Sequence, residues 1–313
     1  MATILITHGI PVAGLEALAG HEIIMPAPLS AFTMEELEGL IPRADAVLAG
    51  GKLPGDVIRA GKKLRIIANY GAGYDSVDIA AAAACGVPVT NIPETVTDAT
   101  AELTIGLVLA VSRRIGEMNL RLRREDSANL FGMGRYMGST LRGRTLGIIG
   151  CGRIGGRVAE MAKALGMRVI AYSRRGVDAS VAQYADLPAL LATADVISLH
   201  CPSTLETRNL INAEAFALMK DGVILINTAR GAVIDHDALL DALRSGKVGG
   251  AGLDVFPEEP RVPTALLEMD NVVCTPHIGS NTAQTRADMA EACARQILDA
   301  LAGKRPENIV NGI

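Results

Sequence analysis

Three short stretches carry polar, chemically capable residues inside otherwise apolar surroundings. They are Asn227-Thr228-Ala229-Arg230-Gly231, Gly252 through Pro260 with Asp254, Glu258 and Glu259, and Thr275-Pro276-His277-Ile278-Gly279-Ser280. A guanidinium among small neighbours at a strand end can hold a carboxylate bidentately and so orient a small acid. A histidine paired with a carboxylate has a stabilised cationic form and can deliver a proton to a substrate oxygen. Taken singly, each residue has a plainer reading. An arginine at a strand end is more often a salt-bridge residue, and a lone histidine is more often structural, as His8, His21, His200 and His236 are read here. All three stretches together, downstream of a nucleotide-binding turn, favour chemistry.

That turn is Gly150-Cys151-Gly152-Arg153-Ile154-Gly155, a G-x-G-x-x-G pattern. With 33 glycines in the chain the pattern alone is weak, but its context is specific. Leu146, Ile148 and Ile149 precede it as an apolar strand, and Ile154, Val158, Met161 and Leu165 follow at helical spacing before Gly166 supplies a stop. Such a strand, turn and helix set backbone N–H groups and a helix N-terminus against a pyrophosphate. The second strand of the unit ends at Ser173-Arg174-Arg175, where NAD-binding chains carry an acid for the ribose 2′-hydroxyl. Asp178, the nearest acid, lies past Gly176. A hydroxyl and two guanidiniums suit a 2′-phosphate, so the chain reads as NADP(H)-binding; the plainer alternative is a solvated basic turn.

The elements that must position these residues follow from pattern and composition. The chain has 313 residues, which makes two domains the default, and the fingerprint begins near its middle. Strand-like runs at 2–7, 45–49, 64–69 and 87–91 alternate with helices, one opened by the capping box Thr33-Met-Glu-Glu36, which argues for a small doubly wound sheet. A single long helical pattern runs from Thr97 toward Arg124, and its length suits a connector between domains that also meets a partner subunit. After the fingerprint, strands recur at 195–200, 223–227, 249–255 and 272–275, with Asn212 and Asp235 as N-caps and Gly222 and Gly246 as stops. This outlines a six-stranded dinucleotide-binding sheet. A last helix, about 282–301, makes the first domain discontinuous if it returns there.

Composition narrows the function classes. Hydrophobic residues make up 49% but aromatics only 3%, and tryptophan is absent, which suits buried parallel strands under helices. A formal net charge of -4 gives no reason to expect nucleic acid or an anionic membrane as partner. Arg113, Arg114, Arg121, Arg123 and Arg124 cluster, but Glu117, Glu125 and Asp126 interleave with them, as on a solvated or subunit-contacting helix face. Cys85, Cys151, Cys201, Cys274 and Cys293 form no C-x-x-C pair, so neither disulfides nor a metal site is expected. With no signal peptide or membrane span visible, the reading is a soluble cytoplasmic protein.

The segments GAGYDSVD (71–78), VTDATAELTIGLVLAVSRR (96–114), LRGRTLGIIGCGRIG (141–155), NTARGAVID (227–235), GLDVFPEEP (252–260) and TPHIGS (275–280) span nearly the whole chain. Together they resemble the D-2-hydroxyacid dehydrogenases. Within that family the chain is most similar to the NADP(H)-using glyoxylate/hydroxypyruvate and hydroxyphenylpyruvate reductases, on VTDATAE, YSRR and EEPRVPTALLEMDNVV (258–273). The implied fold class is α/β with two doubly wound parallel-sheet domains: a Rossmann cofactor domain at 98–282, inserted into a flavodoxin-like substrate domain made of 1–97 and 283–313.

By the same resemblance His277 is the acid/base, Glu259 its carboxylate partner and Arg230 the anchor for a small 2-oxo acid. The backbone amides of Ala72 and Gly73 and the Ser280 hydroxyl complete the substrate site. Cofactor contacts fall on Thr100, Gly150, Gly152, Arg153, Ile154, Gly155, Ser173, Arg174, Arg175, Cys201, Pro202, Thr207, Thr228, Ala229, Arg230, Asp254, His277 and Gly279, with Asp254 receiving the nicotinamide carboxamide. NADP(H) is the expected cofactor, with NAD(H) the alternative, and a homodimer the expected assembly. Segment 127–140, SANLFGMGRYMGST, lacks the tryptophan that relatives often carry there. Rival readings are an NAD-dependent phosphoglycerate-type dehydrogenase, for which the chain is short of an added regulatory domain, and a nucleotide-sensing scaffold like the family's corepressors. A formate dehydrogenase would have glutamine where Glu259 stands.

Overall fold

The computed structural model describes residues 1–125 and 127–313. The chain divides into two compact units, residues 1–96 with 280–313 and residues 97–279.

The first unit opens with β1 (Thr3–Ile6), β2 (Glu22–Ile24), α1 (Met34–Leu40), β3 (Ala46–Ala49), α2 (Gly55–Ala60), β4 (Ile66–Asn69), α3 (Ile79–Ala84) and β5 (Val89–Thr90). Its five strands are all parallel, in the order β2-β1-β3-β4-β5. That is the flavodoxin-like order, whose ligand edge lies at the carboxyl ends of the strands. β3 and β4 are fully buried, because a parallel sheet is covered on both faces by its crossover helices. Thr33 caps α1 as its sequence promises: its side chain accepts from Glu36 N while the Glu36 carboxylate accepts from Thr33 N. The three-residue β2 carries too short a pattern to be read from sequence.

The second unit contains α4 (Thr97–Ser112), α5 (Ile115–Arg124), β6 (Thr145–Ile149), α6 (Arg153–Ala164), β7 (Arg168–Tyr172), β8 (Gln183–Tyr184), α7 (Leu187–Thr193), β9 (Val196–Leu199), α8 (Ala213–Leu218), β10 (Val223–Asn227), α9 (His236–Arg244), β11 (Val248–Leu253), α10 (Thr264–Leu267) and β12 (Val272–Cys274). Seven parallel strands run in the order β12-β11-β10-β9-β6-β7-β8. The expected six-stranded outline is therefore extended by β8, an exposed two-residue edge strand without the apolar run that marks a buried one. Direction of winding reverses at β6, which pairs with β7 on one side and β9 on the other, and such a switch point is where open α/β sheets bind ligands. α6 buries Gly155, Val158, Ala159 and Ala162, whereas Leu165, placed on that stripe by its spacing, is 39% exposed at the helix end.

The long helix expected from Thr97 to Arg124 is two helices. Arg114 takes a left-handed conformation (φ 56°) and breaks the run between Ser112 and Ile115. Backbone and side chain both support the break. The Ser112 carbonyl accepts from Ser139 N at 2.7 Å, and the Arg114 guanidinium turns onto Glu117 with hydrogen bonds of 2.7 and 2.8 Å. Glu117, almost fully buried, also accepts from Arg121 at 3.0 Å, and Arg121 reaches Glu125 and Asp270. Part of the arginine cluster is thus an ion-pair network around the buried Glu117, with its other members partly exposed; Asp126 lies outside the described residues.

α11 (Ala283–Leu301) starts at a Thr282 cap and belongs to the first unit. Met289, Ala290, Cys293, Ala294, Ile297 and Ala300 form its buried stripe. The buried Gln296 donates to Asn91 O at 3.0 Å and accepts from Thr90 Oγ1 at 2.7 Å, fixing the helix against β5. Among the described residues no helix is long and apolar enough to cross a membrane.

Candidate active site

Apart from Thr100, which lies in α4, the polar residues singled out in the second unit leave the carboxyl ends of its strands. After β6, three glycines perform three tasks. Gly150 has φ +98°, and a Cβ there would stand 2.6 Å from Cys201 N, so the turn can close against the end of β9 only as glycine. A Cβ on Gly155 would meet Gly150 O at 2.3 Å, which is the close seating of α6 on its strand. At Gly152 nothing lies within 4 Å, and this residue caps α6 with no side-chain hydrogen bond. The result is an open, Cβ-free cradle at a helix N-terminus, with Arg153 and Ile154 in its first turn. It fits the pyrophosphate of a dinucleotide.

Flanking loops extend this cradle. Ser173 is half-buried and Arg174 and Arg175 are exposed at the end of β7. Beyond β9, Thr207 Oγ1 donates to Pro202 O at 2.6 Å and accepts from Thr204 N at 2.7 Å, which folds the loop back on itself. Burial pushes the Cys201 thiol up to about 11, so it is a neutral wall of the cradle rather than a nucleophile. His200 is structural: burial pushes it down to about 4, and its Nε2 lies 2.8 Å from Ser198 Oγ.

The loops after β10, β11 and β12 meet in a second cluster. Gly231 permits this, since a Cβ there would fall 2.1 Å from the Phe256 carbonyl carbon. Asn227, fully buried at the end of β10, accepts from Ala229 N at 3.0 Å and donates to Arg230 O at 2.9 Å, shaping the turn that carries the arginine. Arg230 Nη1 donates to Ala229 O at 2.7 Å. Glu259 Oε1 accepts from Phe256 N at 2.9 Å, while its Oε2 lies 2.7 Å from His277 Nδ1. Burial pushes the Glu259 carboxyl up, but the bonds from His277 and Phe256 and the charge of Arg230 outweigh it and leave the group below the usual carboxylate range. Glu259 is therefore an anion held against the His277 ring.

His277 has φ 51°, a left-handed conformation few side chains adopt. Its N–H donates to Asp254 O at 2.9 Å and Thr275 O at 3.0 Å, and these bonds hold the turn. Asp254, 1% exposed, accepts from Thr275 Oγ1 (2.6 Å), Ile278 N (2.8 Å) and Gly279 N (2.9 Å). Burial still dominates and raises its carboxyl above the ordinary value. A Cβ on Gly279 would meet both Asp254 and Thr100 at 3.3 Å, so Thr100 borders the same corner. Thr228 Oγ1 lies 2.9 Å from Thr104 Oγ1, which ties the β10 loop to α4.

The remaining residues named from sequence belong to the first unit. Ala72 and Gly73 follow β4 in a loop whose carbonyls are fixed by side chains: Asn91 Nδ2 donates to Ala72 O at 2.7 Å and Asn69 Nδ2 to Gly73 O at 2.9 Å. Ser280 opens the second stretch of that unit, where its carbonyl accepts from Thr282 N. Sequence reasoning named Asn227 and Thr275 only as parts of their stretches and gave Thr104 no place; all three orient the site through their hydrogen bonds. An asparagine ending an apolar strand beside Thr228 and Arg230 was the one signal available.

Residues 105–279 match the family model for the D-isomer specific 2-hydroxyacid dehydrogenase, NAD binding domain. The chain belongs to this family. It is 44% identical over 272 residues to a glyoxylate reductase of Thermococcus litoralis, covering 84% of this chain and 82% of that one. It is 41% identical over 286 residues to a D-3-phosphoglycerate dehydrogenase of Methanocaldococcus jannaschii, covering 89% of this chain but 54% of that longer one. A crystal structure of an NADPH-dependent glyoxylate/hydroxypyruvate reductase from Sinorhizobium meliloti, in complex with NADP and malonate, superposes with a TM-score of 0.87 at 31% identity, covering 99% of this chain and 96% of that one. The protein is an oxidoreductase of the 2-hydroxyacid dehydrogenase family with an NAD(P)-binding domain.

Proposed function

We propose that this dehydrogenase reduces a small 2-oxo acid of the glyoxylate/hydroxypyruvate class to the D-2-hydroxy acid, using NADP(H) in preference to NAD(H). The observation that carries the reading is the 2.7 Å bond between His277 Nδ1 and a Glu259 carboxylate whose second oxygen is held by Phe256 N. When bound, NADP(H) supplies the hydride that adds to the carbonyl carbon. His277 donates the proton that the carbonyl oxygen then requires; Nδ1 is engaged by Glu259, so Nε2 is the nitrogen that gives it. Glu259 keeps the ring oriented. Arg230 grips the substrate carboxylate and stabilises charge growing on the carbonyl oxygen.

Cofactor binding falls to the cradle of Gly150, Gly152, Arg153, Ile154 and Gly155, walled by Cys201, Pro202 and Thr207. Ser173, Arg174 and Arg175 take the 2′-phosphate. Thr100, Thr228, Ala229 and Gly279 line the nicotinamide end, where Asp254 accepts the carboxamide. Ala72, Gly73 and Ser280 complete the substrate site. The substrate domain corresponds to 1–97 with 283–313 and the cofactor domain to 98–282.

An apolar surface supports a homodimer: Ile115, Leu120, Leu122, Phe131, Met133 and Met137 are all exposed on or just after α5. Five free cysteines suit a reducing cytoplasm. Following NADPH and NADH oxidation over glyoxylate, hydroxypyruvate and aryl pyruvates, and NAD reduction with 3-phosphoglycerate, tests the whole reading. Faster turnover of a 2-oxo acid with NADPH is expected. A preference for NADH would remove the cofactor reading, and no turnover with any substrate would leave a nucleotide-sensing scaffold.

A further inference from the structure

The end of β7 lacks an acid, yet an acid reaches it from elsewhere. Arg174 Nη1 lies 3.6 Å from Glu206 Oε2. Glu206 belongs to the loop after β9, and β6 stands between β9 and β7 in the sheet. The pair therefore reaches across the carboxyl end of β6 and the glycine turn that leaves it. Glu206 is held in that position, because its Oε2 also accepts from Thr204 Oγ1 at 2.6 Å in the loop that Thr207 folds onto Pro202. Asp178, the acid nearest in sequence, is committed elsewhere: its Oδ1 accepts from both N and Oγ of Ser180. Arg174 and Glu206 are both more than half exposed, at 57% and 66%. An exposed ion pair of this length contributes little, so a stronger anion can take Arg174 from it.

We propose that Glu206 is a cofactor-specificity residue: it supplies, from the β9 loop, the carboxylate that β7 lacks, accepts hydrogen bonds from the ribose 2′-hydroxyl of NAD(H), and opposes by its charge the 2′-phosphate of NADP(H) that Arg174 attracts. This rests on the assignment of Arg174 and Arg175 to the 2′-phosphate made above. The two side chains then act in opposite senses on one ligand atom. A 2′-phosphate gains Arg174 but meets a like charge at Glu206, whereas a 2′-hydroxyl finds an acceptor at Glu206 and gains nothing from the guanidinium. The site keeps both cofactors within reach, and Glu206 sets the ratio.

The test compares wild type, Glu206→Gln and Arg174→Ala. Titration calorimetry with 2′,5′-ADP and with 5′-ADP reads the adenosine end without turnover, and fluorescence titration gives Kd for NADPH and NADH. Glu206→Gln should bind 2′,5′-ADP and NADPH about three- to tenfold tighter and bind NADH more weakly, the size expected for one charge at contact distance in water-like surroundings. Arg174→Ala should weaken 2′,5′-ADP and NADPH by a similar factor and leave NADH near its wild-type Kd. Equal changes for both ligand classes in Glu206→Gln, or none, would overturn the inference while a shifted ratio in Arg174→Ala kept the phosphate reading. If Arg174→Ala also leaves the ratio unchanged, the phosphate reading and the Glu206 inference fall together.

Discussion

Asp254 and Glu259 follow β11 and accept, respectively, three and two hydrogen bonds, four of the five from the loop after β12 and one from Phe256 N of their own loop. Arg174 and Arg175 follow β7 in the same sheet and are exposed, Arg174 touching a carboxylate only at 3.6 Å. The two regions sit at the same edge of one fold and are built differently. Around His277 the carboxylates of Asp254 and Glu259 are held by hydrogen bonds, the placement that acid catalysis would need, because a proton donor misplaced by an ångström loses most of its effect. Around Arg174 the side chains are long, wet and loosely paired. Recognition of a phosphate tolerates this, since a guanidinium can follow its partner and charge attraction is not sharply directional. Rigidity is concentrated where a reaction would occur, and adaptability where a ligand is only held.

This contrast can be broken at four points. His277→Ala should lower kcat by about 10² to 10⁴, the usual contribution of a general acid, with Kd for NADPH within a few fold of wild type. Steady-state rates with fluorescence titration decide it, and unaffected turnover would remove His277 from the mechanism. Gly231→Ala would set a methyl group against the Phe256 carbonyl and part the Arg230 and Glu259 loops. We expect it to cost roughly 1–3 kcal/mol of stability and up to about 10²-fold in kcat, measured by thermal unfolding and rates. A neutral result would mean the two loops need not meet closely.

Glu259→Gln removes the anion but keeps the shape. A hydrogen bond to a charged group contributes about 1.5–3 kcal/mol, so kcat should fall roughly ten- to a hundredfold. The sign of its pH effect follows from the depressed Glu259 carboxyl, which is ionised throughout the neutral range. That charge is lost only as the pH falls through the lowered Glu259 value, so the acid-side loss of activity that protonation of Glu259 causes in the wild type should be missing from the Gln variant. A profile that does not move would limit Glu259 to orientation. The smallest effect is expected from Arg175→Ala in the loosely held region: about fivefold or less in Kd for NADPH, as for exposed ion contacts generally, with NADH unchanged. A loss as large as that from His277→Ala would show that the β7 loop is no less exacting than the rigid cluster.

Much of this was legible in the chain alone. Apolar runs located β3, β4, β6, β9 and β10 because a buried parallel strand must be apolar on both faces. Thr33, Asn212 and Asp235 were readable as caps, since a helix start needs an acceptor for its unpaired N–H groups. The three-residue β2 and two-residue β8 left no such trace. Nor did the break at Arg114. Arginine is an ordinary helix former, and only its bonds to Glu117, with Ser139 on the Ser112 carbonyl, make the left-handed turn worthwhile.

The sequence by itself determined which residues could act: an arginine, a glutamate and a histidine in three loops, and a glycine turn for a dinucleotide. It did so because side-chain chemistry and short-range backbone preference are local properties. The tertiary structure alone decided how they are held. The positive φ of His277, the approach of Gly231 to Phe256 and the reach of Glu206 across β6 each depend on residues dozens of positions apart. Their proximity is a property of sheet order, which no local pattern encodes.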